Sequence, residues 1–310
     1  MLWTLPSAPP HDFYLALNVH EYFDFEHEPE LMPESGFIRS LPLPTRDIMV
    51  CIRFNGDAEH PEFSIECEEV LSESERQAAN RSLSRILGLE MDLRGFYDQA
   101  AKDPVLGGLL SEYYGHKRVS RASLFEDAMN RIIQTQIAHK PTARKMVYQV
   151  RQAYGTRLSM RDKAMVAWPQ PHALIGADPM QMKPFGLSLR KGEYVVGLAH
   201  EIVSGNVDPQ HYEQETPQEA YVRITQIRGI GPTTAQDLIH MRPRTDGFFP
   251  SVIDKGQEKG LRRWIIWSYG GDPDLTTEQD FKEMIRFWKG YEACAIEFLF
   301  LNWVVNERNR

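Results

Sequence analysis

Ile224-Thr225-Gln226-Ile227-Arg228-Gly229-Ile230-Gly231-Pro232-Thr233-Thr234-Ala235 decides how the rest of the chain is read. Two helical segments flank a turn of only a few residues. Gly229 and Gly231 allow positive φ and lack the Cβ that would block close approach. Pro232 suits the first position of the helix that follows. The start of that helix leaves backbone N–H groups unpaired at the positive end of its dipole. With no side chain over the turn, these donors can reach a phosphate oxygen, a contact that reads a nucleic-acid backbone and not its base sequence. A helix–helix turn packed in the core would also use Gly-x-Gly. Ile227 before the turn, with Pro232 and Ala235 after it, favours phosphate binding.

The next informative stretch is Phe248-Phe249-Pro250-Ser251-Val252-Ile253-Asp254-Lys255-Gly256. Asp254 lies 23 residues beyond Gly231, after a Pro-containing apolar loop and before a helix. A carboxylate at a helix N-terminus is electrostatically favoured and kept ionised. An isolated Asp there would be read as an N-cap. Its place downstream of a phosphate-binding hairpin makes it a candidate for chemistry.

Around these segments the periodicity changes once. Phe13–Asn18, Phe37–Leu43, Ile48–Phe54 and Phe63–Cys67 are short, rich in aromatic and β-branched residues, and bounded by Pro, Gly, Asp or Asn. They predict strands. From Ser72, with Glu75 three residues on, a capping-box pattern opens a helical region. Leu124, Ala128 and Ile132, with Phe125, Met129 and Ile133, repeat along one helix face. Further helices are predicted at Ala143–Tyr154, Leu189–Val203, Pro217–Gln226, Thr233–Met241 and Glu278–Val304, separated by Gly and Pro breakers. The expected fold class is α+β: a small antiparallel β domain at 1–95, then an all-α body at 96–310.

Composition narrows the function classes. Of 310 residues, 42% are hydrophobic and 25% charged, which excludes collagen-like and largely disordered chains. The most apolar run, Cys294–Val305, is broken by Glu297 and Asn302 and is too short for a membrane span. No signal peptide is read at Met1–Pro10. Three distant cysteines give neither a disulfide framework nor an iron–sulfur site and fit a reducing cytoplasm. The ten histidines show no metal-ligand spacing, so no catalytic metal is expected. The net charge of -8 is unevenly spread. Residues 1–110 hold 8 basic and 20 acidic residues, whereas the remainder holds 27 and 23. A mildly basic body permits phosphate binding without requiring it.

The hairpin and the Asp254 loop together resemble the helix-hairpin-helix DNA glycosylases, in which the hairpin is followed by a loop ending in a catalytic aspartate. Asp103-Pro104, Phe125 through Gln134-Thr135-Gln136-Ile137, Phe185-Gly186 through Tyr194, and Phe287-Trp288-Lys289-Gly290-Tyr291 resemble further motifs of that family. Coverage is about residues 96–310. The β domain in front matches what the alkylpurine (3-methyladenine type) and oxoguanine branches carry. The resemblance implies a two-lobed body, with a hairpin lobe near 118–244 and a second lobe formed by 96–117 and 245–310.

It also implies roles. Asp254 would stabilise an oxocarbenium-like sugar and orient or deprotonate water. Gly229, Ile230, Gly231, Thr233 and Thr234 would grip the DNA backbone, helped by cations among Arg228, Lys140, Arg262 and Arg263. Gln136 would fill the stack after base flipping. Tyr291, Trp288, Asp237 and Thr233 would form the base pocket, where an aromatic ring attracts a cationic alkylated purine. Thr233 stands where lyase members place a nucleophilic Lys, which implies a monofunctional enzyme that leaves an abasic site. The implied partner is damaged double-stranded DNA and the implied state a cytoplasmic monomer, associated with the nucleoid in a prokaryote. No cofactor is required, although hairpin carbonyls of this family can hold a monovalent cation. The alternatives are an oxoguanine or other damaged-base glycosylase and a non-catalytic DNA-binding protein.

Overall fold

The computed structural model describes residues 1–18, 31–32, 36–250 and 261–303. Asp254 and Lys255 therefore lie outside the described residues.

The chain is mixed, with a small antiparallel sheet and many helices. Strands β1 (Leu2–Pro6), β2 (Leu31–Met32), β3 (Gly36–Pro42), β4 (Asp47–Asn55) and β5 (Glu62–Glu66) form one sheet in the order β1-β5-β4-β3-β2. Three of the four predicted strands are present. The fourth, Phe13–Asn18, is instead the short helix α1 (Phe13–Asn18). Asp12 explains the difference: its Oδ1 accepts the Leu15 amide at 3.0 Å, an N-terminal cap that outweighs local β propensity. Phe13 and Ala16, three apart, are then buried together.

Both faces of the sheet are covered. Alternate residues Phe37, Leu41, Ile48, Val50 and Ile52 join one apolar core with α2 (Glu73–Leu87) and the C-terminal helices. The intervening Ile38, Met49 and Cys51 pack on Met160 and Met165. This period of two is the geometry of a strand buried on both sides.

The helical body continues through α3 (Arg94–Ala100), α4 (Leu124–Gln134) and α5 (Lys140–Tyr154). A hairpin of β6 (Arg157–Met160) and β7 (Lys163–Val166), missed in the sequence pattern, supplies the two methionines on the sheet. Then follow α6 (Pro171–Leu174), α7 (Leu189–Val203), α8 (Pro209–Gln214), α9 (Pro217–Ile224) and α10 (Pro232–His240). Beyond the undescribed segment come α11 (Leu261–Ser268), α12 (Glu278–Met284) and α13 (Glu292–Asn302). The single helix expected over Glu278–Val304 is thus two. The break holds Gly290 at φ +82°, and Trp288 is drawn inward by hydrogen bonds to Asp103 and Tyr269.

A second apolar core runs from Leu124 to Met241, separate from the one shared by the sheet and the C-terminal helices. Buried ion pairs join the two parts. Arg39 of β3 meets Glu126 at 3.1 Å, and Arg85 of α2 meets Asp127 at 2.7 Å, both acids lying in the first turn of α4. Removing one partner of such a pair costs about 3–5 kcal/mol, because the other charge is left buried.

Among the described residues, three histidines are buried: His11, His116 and His240. Burial pulls the His116 and His240 pKa values down from 6.5 to about 3, aided by the positive charge of Arg118. Burial also holds His11 well below its ordinary value, with Lys117 adding to it. Buried Glu297, 3.4 Å from His116 Nε2, is displaced upward. As pH falls below 6.5, the unfolded chain takes up protons that the folded histidines refuse, so stability present above pH 6.5 is lost. Each histidine contributes about 1.4 kcal/mol per pH unit. Glu297 and the half-buried Glu292, both displaced upward by burial, act with the opposite sign above their ordinary 4.5, but three histidines outweigh two acids. The melting temperature should fall between pH 6.5 and 4.5. A flat or rising profile in calorimetry would contradict the neutral buried state.

Candidate nucleic-acid interface

The hairpin forms because its side chains and its backbone have different destinations. Ile227 and Ile230 are buried in the second core, while Arg228, Gly231 and Thr233 are exposed. Amides of Ile227 and Ile230 bond back to the carbonyls of Ile224 and Ile227, which closes the turn. Gly229 has φ +99°, and a Cβ there would lie 2.4 Å from the Tyr194 ring. Gly231 caps α10 with no side-chain hydrogen bond, and a Cβ there would meet nothing within 4 Å. Pro232 takes the first helical position, so the Thr233 and Thr234 amides sit in a first turn with no preceding carbonyl to accept them.

Across from this turn lies the end of α4. Gln136 is exposed with φ +63°, a left-handed conformation that few residues other than glycine adopt. Gln136, Arg190, Lys191, Tyr194 and the 229–234 turn line one groove of about 660 Å³. The structure thus brings together Gln136 and all five expected backbone-gripping residues. Lys191 donates to the carbonyls of Ile133 and Thr135 at 2.6 and 2.7 Å, and burial lowers its pKa. Lys191 and Tyr194 belong to the Phe185–Tyr194 motif, but no role for them is legible in the sequence, because their value lies in contacts made at long range.

The expected pocket residues have different surroundings. Trp288 is 1% exposed and belongs to the core, its indole N–H donating to Asp103 Oδ2 and the Tyr269 hydroxyl. The expectation that it lines an open base pocket is corrected accordingly. Tyr291 is half-buried, with its hydroxyl against Gly95 and its ring 6.1 Å from Phe96. Asp237 forms an ion pair with Arg131 of α4, so it presents a compensated charge and not a lone carboxylate.

The expected phosphate-binding cations divide likewise. Arg228 is exposed, pairs with Glu193 at 2.9 Å and lies over the Tyr194 ring. Lys140 is exposed in the first turn of α5. Arg263 pairs with Asp274. Arg262 is corrected to a structural role: it is buried, stacks 4.0 Å over Phe281, pairs with Glu278 and donates to the Pro250 carbonyl at 2.7 Å.

These contacts fix both borders of the undescribed segment. The Phe248 amide faces His240 Nε2 at 3.3 Å, Phe249 stacks on His240, and Gly247 donates to Glu292. Pro250 and α11 are then tied to each other through Arg262. Among the described residues, no cluster of His, Cys, Asp and Glu could hold a metal ion, and no helix is long and apolar enough to cross a membrane.

Comparison with solved structures accounts for this arrangement. A 3-methyladenine DNA-glycosylase from Archaeoglobus fulgidus superposes with a TM-score of 0.77 over 98% of this chain and 99% of that one, at 22% identity. The chain has the fold of the helix-hairpin-helix DNA glycosylases. An 8-oxoguanine glycosylase/lyase from Clostridium acetobutylicum, solved with double-stranded DNA containing cytosine opposite 8-oxoG, has a TM-score of 0.68 over 100% and 99% of the two chains, at 14% identity. In sequence, a DNA-3-methyladenine glycosylase of Bacillus subtilis (strain 168) is 24% identical over 212 residues, 68% of each chain. No protein-family model matches.

The two hairpin glycines should separate stability from binding. Gly229→Ala must shift the Tyr194 ring and strain its own backbone, lowering stability by about 2 kcal/mol or more. Gly231→Val should leave the melting temperature within a few degrees, yet weaken duplex DNA binding about tenfold by covering the amides. Denaturation and a DNA titration of both variants check this. Equal DNA affinity of Gly231→Val and the native chain would exclude the turn as the contact.

Proposed function

We propose that this protein is a monofunctional DNA N-glycosylase that flips an alkylated purine out of duplex DNA and hydrolyses its N-glycosidic bond, leaving an abasic site. The observation that carries the reading is the groove lined by the 229–234 turn, which opens the first turn of α10, and by Gln136 in its left-handed conformation. The similarity to named 3-methyladenine glycosylases in sequence and in fold supports the same chemistry.

The roles follow from the physics of the step. Hairpin amides and the positive end of α10 would hold a phosphate beside the lesion. Gln136 would occupy the space left by the extruded nucleotide. Asp254 would face the sugar as positive charge develops at C1′ and direct a water to it. The bonds of Arg262, His240 and Glu292 hold the residues at 247–250 against α10, α11 and α13. Tyr291 would offer a ring face to a cationic base. The Arg131–Asp237 ion pair would border the pocket with compensated charge. In domain terms, residues 1–95 would support a two-lobed body of 118–244 and 96–117 with 245–310, the groove belonging to the first of these lobes.

Thr233, exposed at the groove, supports hydrolysis without strand cleavage, since a hydroxyl forms no Schiff base with an abasic sugar. Duplex oligonucleotides carrying N7-methylguanine, N3-methyladenine, hypoxanthine, oxoguanine or uracil, incubated with the protein and then with alkali, test this directly. Strand breaks that need alkali, on an alkylated purine, are expected. Breaks without alkali, or a borohydride-trapped covalent adduct, would favour the lyase class.

A further inference from the structure

We propose that Lys191 is a positioning residue for the wedge, its ammonium bracing the turn that presents Gln136 to the DNA stack. The inference rests on the glycosylase reading above and assigns a task within it to a side chain that does not itself act on the base.

The C-terminal turn of α4 ends at Gln134, and helix ends leave carbonyls without partners. Lys191 Nζ reaches two oxygens there, those of Ile133 and Thr135, at 2.6 and 2.7 Å. Thr135 immediately precedes Gln136, so this bond grips the chain one residue from the wedge. A cation at a helix C-terminus is also favoured by the dipole. Lys191 is itself anchored: it sits in the first turn of α7, where its amide donates to the Ser188 hydroxyl at 3.3 Å. Its neighbour one helical turn on, Tyr194, packs against Gly229 of the hairpin. One helix thus braces the wedge turn through Lys191 and the phosphate-binding turn through Tyr194, and so sets the spacing between them.

Such a brace matters when the wedge meets resistance. Gln136 already holds a conformation that is unfavourable for a side-chain-bearing residue, so its turn needs support from outside. Extruding a paired nucleotide requires unstacking and unpairing, and an unpaired target needs much less. A loosened turn should therefore fail selectively on paired targets.

The test compares native protein, Lys191→Met and Lys191→Arg on N7-methylguanine in two duplexes. In one the lesion pairs with cytosine, and in the other it stands in a single-nucleotide bulge. Lys191→Met should lose about tenfold or more in base release on the paired target, the scale expected for losing hydrogen bonds made by a charged group. It should lose less than about threefold on the bulge, with Lys191→Arg recovering most of the difference by donating to the same two carbonyls. Fluorescence of 2-aminopurine beside the lesion should report less flipping for Lys191→Met on the paired duplex alone. Equal loss on both targets, or no loss on either, overturns the positioning role while leaving the glycosylase reading intact. A native protein that releases base from neither duplex overturns both.

Discussion

The site depends on burial of Ile227 and Ile230 beneath the hairpin. Those two side chains fill the second apolar core, and that forces the backbone between and beyond them to face outward. Gly229 lets the chain reverse against the Tyr194 ring, and Gly231 leaves the start of α10 uncovered. The amides are thereby fixed in place before any ligand arrives, so little ordering has to be offset on binding. A turn of the same length with its side chains outward would have neither the donors nor the rigidity.

The rest of the fold holds this turn in register with distant groups. Gln136 is carried by α4, whose first turn is locked to the sheet and to α2 through Glu126 and Asp127. The sheet is gripped from its other face by the two methionines of β6 and β7. The strap 247–250 ties α10 to α13 and α11 through His240, Glu292 and Arg262. A charge or methionine far from the groove can thus alter geometry at it, because these links are buried or partly buried contacts in a close-packed interior.

Features set by local chemistry were legible in the sequence. The Ser72 capping box forms as its spacing requires, and Leu189–Val203 is helical between its caps. The Gly-x-Gly-Pro turn stands where its residues demand. What escaped was set by distant partners. Asp12 turned a strand-like segment into α1, and β6–β7 became a hairpin because its methionines cover the sheet. Trp288 looked like a pocket ring until Asp103, distant in sequence, claimed its indole N–H. The pairing of Asp237 with Arg131, from another helix, has no signal in its own segment. Lys191 lies in the Phe185–Tyr194 motif, but its task is not legible there, since two carbonyls at a helix end have no sequence signature.

The central claim is that a carboxylate delivered by the loop after the hairpin promotes cleavage of the base–sugar bond, while the hairpin holds the strand. Its most direct test is Asp254→Asn, measured for single-turnover base release and for affinity to an abasic duplex. The account predicts loss of release by at least about a thousandfold, the scale of removing a key electrostatic stabiliser, with abasic-DNA affinity kept within a few-fold. Base release at the native rate would contradict it.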